Sequence, residues 1–356
     1  MADKLRVGVL GLSHDHIWNN LKELSESEDG VLVAAADPHP DLLAKVKEFG
    51  CEQVFERYDE LLDKQKLDAV YIYSDNRESA ELAQQAAARG LHVMIEKPMA
   101  STFAGADRMR GASRAAGVQL MVNWPFAWWP SLQYALKLIA EGQIGEVWQV
   151  NYRGAHGGPR EFGHVGYFAK WLYDPRRNGG GALIDYCCYG AALTCLLLGL
   201  PSRVTAMSGR LRKQDLPAED NAILIMQHAR AISTATASWT QIGMATSYIP
   251  TFYGSAGTLL AQYEDGTLWL ATNEQKYGER LDVPPLPAGQ RTATEFFLGH
   301  IRSGEPIDGL LGADVGLMAQ EVLEAGLISA AEGRAVSLPL PVTVLSFEFQ
   351  AVATQN

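Results

Sequence analysis

The chain has 356 residues, carries a formal charge of −11, and is 47% apolar and 20% charged. One domain usually holds roughly 100–200 residues, so two are expected, and the balance excludes a disordered, collagen-like or coiled-coil chain. The acidic charge disfavours a nucleic acid partner, and no run approaches the ~20 apolar residues that span a bilayer, so no membrane partner is expected.

In chain order, Leu5–Leu10 reads as a strand and residues 15–24 as a helix. Strands follow at 31–36, 69–73, 91–95 and 118–122, with helices at 41–49, 78–89 and 104–116. Strands that are apolar almost throughout and alternate with helices imply a parallel sheet covered on both faces. Right-handed crossovers then give a doubly wound, nucleotide-binding α/β fold.

The pattern changes after Asn123, which sets the expected boundary between domains 1–123 and 124–356. A helix at 132–141 and a strand at 146–152 lead into a loop at 154–168 rich in Gly, His and Arg. An apolar helix is predicted at 180–198, then strands at 203–212, 221–228, 231–239, 249–253, 258–263 and 267–271. Short connections between consecutive strands imply a mainly antiparallel sheet with that helix on one face. Residues 283–289, with three prolines, read as a stiff linker, and helices at 292–302 and 313–331 finish the chain.

The first strand-to-helix turn reads Gly8-Val9-Leu10-Gly11-Leu12-Ser13-His14-Asp15-His16. A dinucleotide fingerprint needs G-x-G-x-x-G here, for the tight turn, for close approach of the pyrophosphate and for helix–strand packing. Gly11 keeps the first place; Ser13 and His16 hold the other two. The helix N-terminus offers N–H groups to a phosphate. Gly11, Leu12 and Ser13 then form the cradle, and His14 or His16 touches phosphate or ribose. A turn capped by Ser13 with no nucleotide is the competing reading.

Asp37 ends the second strand, where a carboxylate accepts hydrogen bonds from the adenosine ribose. It would also repel a 2′-phosphate, which favours NAD over NADP; a helix cap is the other role open to it. Ser74-Asp75-Asn76 ends the next strand at the sheet edge where ligands sit. Glu96-Lys97-Pro98 places an ammonium beside the nicotinamide, or is simply a solvated turn.

Taken together, several blocks resemble the Gfo/Idh/MocA oxidoreductases, the family of glucose–fructose oxidoreductase and inositol dehydrogenase. They are Val7-Gly8-Val9-Leu10-Gly11, Asp37-Pro38, Gly90 to Pro98, Gly142-Gln143-Ile144-Gly145-Glu146-Val147 and Asn178-Gly179-Gly180-Gly181-Ala182-Leu183-Ile184-Asp185, continuing to Val204. The resemblance implies an N-terminal Rossmann domain and a C-terminal substrate domain whose open sheet forms a homodimer or homotetramer interface. It also implies hydride transfer between a nicotinamide cofactor and a sugar, polyol or related hydroxyl compound. It makes Lys97 catalytic, and assigns Asp185 to binding substrate and orienting the acid/base. The chain departs from the family at the glycine fingerprint, at Ser74-Asp75-Asn76 where many members have Thr-Pro-Asn, and at Tyr189, where many have histidine. The dihydrodiol- and xylose-dehydrogenase-like branches also carry tyrosine there.

Removing a hydride from a carbinol carbon requires that the hydroxyl proton leave to a positioned base. A free phenol, with a pKa of ~10, is a poor base at neutral pH. An adjacent ammonium would lower that value, so Lys97 and Tyr189 are expected to act as a pair. Asp185 and Tyr189, four apart on a helix, would share a face; a simply packed aromatic is the alternative for Tyr189.

In the loop, His156, Arg160, His164 and Tyr167 crowd the cleft mouth, and His164 is selected as a substrate ligand. Trp124 is expected to stack on substrate and Asn123 to lie beside the nicotinamide, with Trp128 and Trp129 packing the domain seam. No metal is expected, because His14 and His16 on a helix would face different ways. Four cysteines without a disulfide or metal spacing, and a start that runs directly into a strand, suggest a cytoplasmic protein. Two other readings stay open. One is a lyase or glycosidase that oxidises its substrate transiently with tightly held NAD; the other is a dinucleotide-dependent sensor without turnover.

Overall fold

The computed structural model describes residues 3–164, 166–263 and 265–341. The first sheet is built from β1 (Leu5–Leu10), β2 (Gly30–Ala36), β3 (Gln53–Phe55), β4 (Ala69–Ile72), β5 (His92–Glu96) and β6 (Leu120–Asn123). Between them run α1 (Ile17–Glu26), α2 (Pro40–Val46), α3 (Tyr58–Lys64), α4 (Asn76–Ala88) and α5 (Phe103–Ala116). Strand order is β3-β2-β1-β4-β5-β6 with every neighbouring pair parallel. The order reverses between β1 and β4, so the turn after β1 and the turns after β4 and β5 open at one edge, the usual ligand crevice of such sheets.

A single turn at Pro125–Trp128 and α6 (Pro130–Ala140) lead into the second sheet. Its strands are β7 (Val147–Ala155), β8 (Arg203–Gly209), β9 (Asn221–Gln227), β10 (Ile232–Ser238), β11 (Thr251–Gly254), β12 (Thr258–Ala261), β13 (Leu268–Ala271), β14 (Glu279–Leu281) and β15 (Val336–Ser337). The order is β14-β13-β12-β11-β7-β10-β9-β8-β15, antiparallel apart from the β7–β10 pair. The α/β architecture with one parallel and one mainly antiparallel sheet is therefore the one expected from the sequence.

The remaining helices are α7 (Tyr167–Leu172), α8 (Pro175–Asn178), α9 (Cys188–Leu198), α10 (Ala293–Ser303) and α11 (Ala313–Glu332). In β8, Val204 and Ala206 point inward under α11 while Arg203, Thr205 and Met207 face out. Past β14 the chain returns to the first sheet: α10 packs on α1, and the Tyr71 hydroxyl donates to Thr294 Oγ1 at 3.2 Å.

Several local expectations are corrected. Residues 41–49 break into α2 and a short 3-10 turn at Lys47–Phe49 that Gly50 closes in the left-handed region. Strand β8 ends at Gly209, because the Asp220 carboxylate accepts the N–H groups of Leu211, Arg212 and Lys213 at 2.7–2.9 Å and curls them off the sheet. The helix expected over 180–198 begins as a π turn, Leu183–Cys187, before α9. Segment Pro175–Leu198 passes for a membrane-spanning helix by length and composition only, and it holds Arg176, Arg177 and Asp185. Most of its apolar part is buried inside the fold, as suits the core helix of the second domain.

Candidate active site

Between the two domains lies a cleft of about 190 Å³, lined by His16, Lys97, His156, His164, Asp185 and Tyr189, with Trp129, Tyr152, Tyr186, Tyr248 and Tyr263 among its aromatic walls. Lys97 follows β5 directly, while Asp185 stands in the π turn and Tyr189 in the first turn of α9. Lys97 Nζ donates to Asp185 Oδ1 at 2.8 Å and to the Asp185 carbonyl at 3.2 Å. The other carboxylate oxygen accepts from Trp239 Nε1 at 3.0 Å.

Electrostatics fix the charge states of this pair. Burial by itself would lower the Lys97 pKa, but the Asp185 carboxylate, with Cys188 and Glu96, more than offsets it and holds the ammonium protonated. For Asp185, burial raises the pKa, and Lys97 and Trp239 outweigh it to keep the group ionised. Two opposite charges thus share one buried site, each depending on the other.

The phenol departs from the expected chemistry. Burial pushes Tyr189 well above the ordinary tyrosine value, and the neighbouring Cys188, Glu96 and Asp185 push the same way. Lys97 Nζ lies 4.9 Å from the centre of the Tyr189 ring, over its face, with its nearest hydrogen bonds going to Asp185. A cation over a ring face is held by the quadrupole and does little for the hydroxyl. Tyr189 is therefore a neutral phenol, suited to donating a proton, and the expected lowering of its pKa is overturned.

Its ring is fixed on three sides, stacked on Tyr152 at 5.5 Å and edge-on to Phe126 at 4.9 Å and Trp124 at 5.8 Å. Trp124 is fully buried beneath it, so it does not stack on substrate as expected; Trp129, which the sequence assigned to the domain seam, lines the cleft instead.

Tyr186 was missed by sequence reasoning. Its hydroxyl accepts from the Tyr248 hydroxyl at 2.9 Å, and its ring lies over β7 at Gly154, where a Cβ would come within 2.3 Å of it. The Tyr186–Tyr189 spacing of three was the available signal. His156 is held neutral, lowered to about 4 chiefly by burial, and its Nδ1 accepts the Gly158 N–H at 2.7 Å. His164 lines the cleft as expected, but its Nδ1 pairs with Asp15 Oδ2 at 2.8 Å.

At the β1 edge the chemistry fits a dinucleotide in kind. Gly11 has φ +85°, and a Cβ there would stand 2.5 Å from the Ser74 backbone nitrogen, so only glycine makes this turn. Asp37 lies at the end of β2 and accepts the Leu12 N–H at 2.6 Å and the His39 N–H at 2.8 Å. Ser74 pairs with Ser79 at 2.9 Å, Asn76 donates to Asn178 Oδ1 at 2.8 Å, and Asp75 caps α4. The Asn123 amide donates to Glu96 Oε2 at 3.0 Å.

Space at this edge is another matter. Leu12, Ser13, His14 and Asp37 are 1%, 6%, 2% and 1% exposed. Trp171 Nε1 donates to the Ser13 carbonyl at 3.4 Å, Phe168 packs on His14 at 4.3 Å, and Tyr167 on His39 at 3.7 Å. The N–H groups of Ile17, Trp18 and Asn19, expected to be free for a phosphate, donate to the carbonyls of His14, Asp15 and His16. Covered atoms cannot touch a ligand, so in this arrangement Tyr167, Phe168 and Trp171 block the edge.

A Rossmann domain joined to an open-sheet domain, with a lysine–carboxylate pair and a phenol in the cleft between them, defines the oxidoreductase class of two-domain dehydrogenases. Residues 5–124 match the Gfo/Idh/MocA oxidoreductase family with its NAD-binding Rossmann fold, and residues 132–260 match the family's C-terminal domain. The chain belongs to the Gfo/Idh/MocA family.

It is 31% identical over 265 residues to a dTDP-3,4-didehydro-2,6-dideoxy-alpha-D-glucose 3-reductase of Actinomadura kijaniata, covering 72% of this chain and 74% of that protein. To the trans-1,2-dihydrobenzene-1,2-diol dehydrogenase of Mus musculus it is 24% identical, covering 80% and 82%. Its fold matches the aldose-aldose oxidoreductase of Caulobacter crescentus, solved with glycerol, at a TM-score of 0.78 and 24% identity, covering 94% of this chain and 100% of that one.

Proposed function

We propose that this chain transfers a hydride between NAD(H) and a hydroxyl or carbonyl carbon of a sugar, polyol or dihydrodiol. The observation that carries this reading is that Lys97 from the first domain and Asp185 and Tyr189 from the second line one cleft. Relatives named as a sugar reductase and a dihydrodiol dehydrogenase support the substrate class. A cleft of about 190 Å³ is smaller than the ~300–1,000 Å³ that holds a drug-sized ligand. In this closed state, with Phe168 and Leu172 in its walls, it admits one sugar ring or a short polyol.

NAD(H), when bound, supplies the hydride acceptor or donor; Gly11, Ser13 and Asp37 would hold it, and the acidic Asp37 favours NAD over NADP. In the cleft, Lys97 keeps its charge and stabilises an oxygen that becomes negative as the hydride moves. Asp185 fixes that ammonium by two contacts to one residue. Tyr189, a neutral phenol, gives the oxygen its proton during reduction. His156, neutral, orients a further hydroxyl, and the tyrosine walls cover the apolar faces of the ring.

The open face of the second sheet exposes Met207, Ile223, Ile225 and Ile232 side by side. A second copy of the chain covering this face accounts for such an apolar patch, giving a homodimer or homotetramer. Cys51, Cys187, Cys188 and Cys195 are free thiols and buried, which suits the reducing cytoplasm.

The test is nicotinamide absorbance with wild type and Lys97→Ala across sugars, polyols and dihydrodiols, in both directions. Turnover on one class, lost in Lys97→Ala, supports the reading. Cofactor that stays bound through purification, with product formed and no net NADH, would instead favour the transient-oxidation route.

A further inference from the structure

Three side chains that commonly bind metals meet at the rim of the cleft. His14 and His16 stand in the turn ahead of α1, outside the helix, so their spacing of two does not separate them; their ring centres are 4.5 Å apart. Glu96 closes β5. Ligand atoms of all three lie within 4.8 Å of one another, with His16 Nδ1 and Glu96 Oε1 at 3.0 Å. On a tetrahedral ion with bonds of about 2.1 Å, ligand atoms stand roughly 3.4 Å apart. Movements of about an ångström therefore bring all three onto one centre.

The chemistry of the set is specific. Two imidazoles and one carboxylate are the protein share of a zinc site that keeps a coordination position open. His14 is buried, and its Nδ1 accepts the His16 backbone N–H at 3.2 Å. Glu96 is also buried, and its second oxygen is held by Asn123 Nδ2 at 3.0 Å. The Asn123 Oδ1 in turn accepts from Trp128 Nε1 at 2.9 Å. Outer partners of this kind aim ligating carboxylates at their metal, whereas a simple surface ion pair needs none. Lys97 opposes a bound dication, but its charge is matched by Asp185 at 2.8 Å. The set also gives a reason for His16 to hold the place of the third fingerprint glycine.

We propose that His14, His16 and Glu96 form a site for one divalent cation of the zinc class, its open position facing the cleft that His16 lines, where it takes an oxygen of the substrate. This inference stands on residues other than the Lys97–Asp185–Tyr189 constellation and does not depend on hydride transfer.

The full chain, untagged and stripped with chelator, is titrated with Zn²⁺ by calorimetry and with Co²⁺ by visible absorption. The expected result is one equivalent bound, with the intense Co²⁺ spectrum of a four- or five-coordinate site carrying imidazole. His16→Ala and Glu96→Gln should each weaken binding at least ~10-fold and bleach that spectrum, and Asn123→Ala should weaken it ~10-fold through Glu96. No saturable binding to wild type would overturn the proposal, as would an octahedral Co²⁺ spectrum or affinities unchanged in both ligand variants. The wild-type spectrum reads the site even where a variant does not fold.

Discussion

Lys97 Nζ stands 2.8 Å from Asp185 Oδ1 although the two residues are 88 positions apart. One comes from the edge of the parallel sheet and the other from the π turn of the second domain. Their pairing therefore ties the domains together and sets the charge of the cleft at once.

Asp185→Asn leaves that ammonium buried without its counter-charge. Removing one partner of a buried ion pair costs roughly 3–5 kcal/mol. Chemical denaturation should show a loss of this size, together with a lower Lys97 pKa in the pH–rate profile. An unchanged midpoint would mean that the pair is solvated.

Tyr189→Phe keeps the ring that packs against Tyr152, Phe126 and Trp124, so its stability should stay within about 1 kcal/mol of wild type. Turnover should fall by roughly 10²–10⁴, the usual share of a positioned proton donor. Steady-state kinetics with the best substrate of the panel checks both halves; a fall of less than about twofold would remove the role.

Tyr167→Ala tests the cover over the cofactor edge. Its ring lies 3.7 Å from His39 and its hydroxyl donates to Asp41 at 3.1 Å. If the covered state must open before a dinucleotide enters, apparent affinity is reduced by the open fraction. Loosening the cover should then tighten NADH binding several-fold, read by fluorescence titration. Weaker binding would instead make Tyr167 a contact of the bound cofactor.

Stability should also fall with acid. His156 titrates near 6.5 in the unfolded chain and at about 4 in the fold. Below pH 6.5 the unfolded chain takes up a proton that the folded one refuses until about pH 4, so the stabilisation present above 6.5 is lost across this window. The full effect is up to about 3 kcal/mol. Thermal unfolding from pH 7 to 4 should be less steep in His156→Gln than in wild type, and equal slopes would contradict the assignment.

Much of the first domain was legible because its strands are buried on both faces and read as unbroken apolar runs. Strand β3 was not legible: it has three residues, none fully buried, and no periodicity to detect. In the cleft, Lys97, Asp185 and Tyr189 stood out by their blocks, whereas the choice of Trp129 over Trp124 depends on a single turn at Pro125–Trp128 that leaves no sequence pattern. His14 and His16 were separated on paper by assuming a helix, but the helix starts only at Ile17. Likewise the effect of Lys97 on Tyr189 depends on whether the ammonium meets the hydroxyl or the ring face, which spacing does not encode.

The most direct measurement is single-turnover reduction by NADH, followed by nicotinamide absorbance in stopped flow, with wild type, Lys97→Ala and Tyr189→Phe on the same keto-sugar. The account predicts hydride transfer in wild type and a drop of at least about 100-fold in each variant with the cofactor still bound. Equal rates in all three proteins would contradict it.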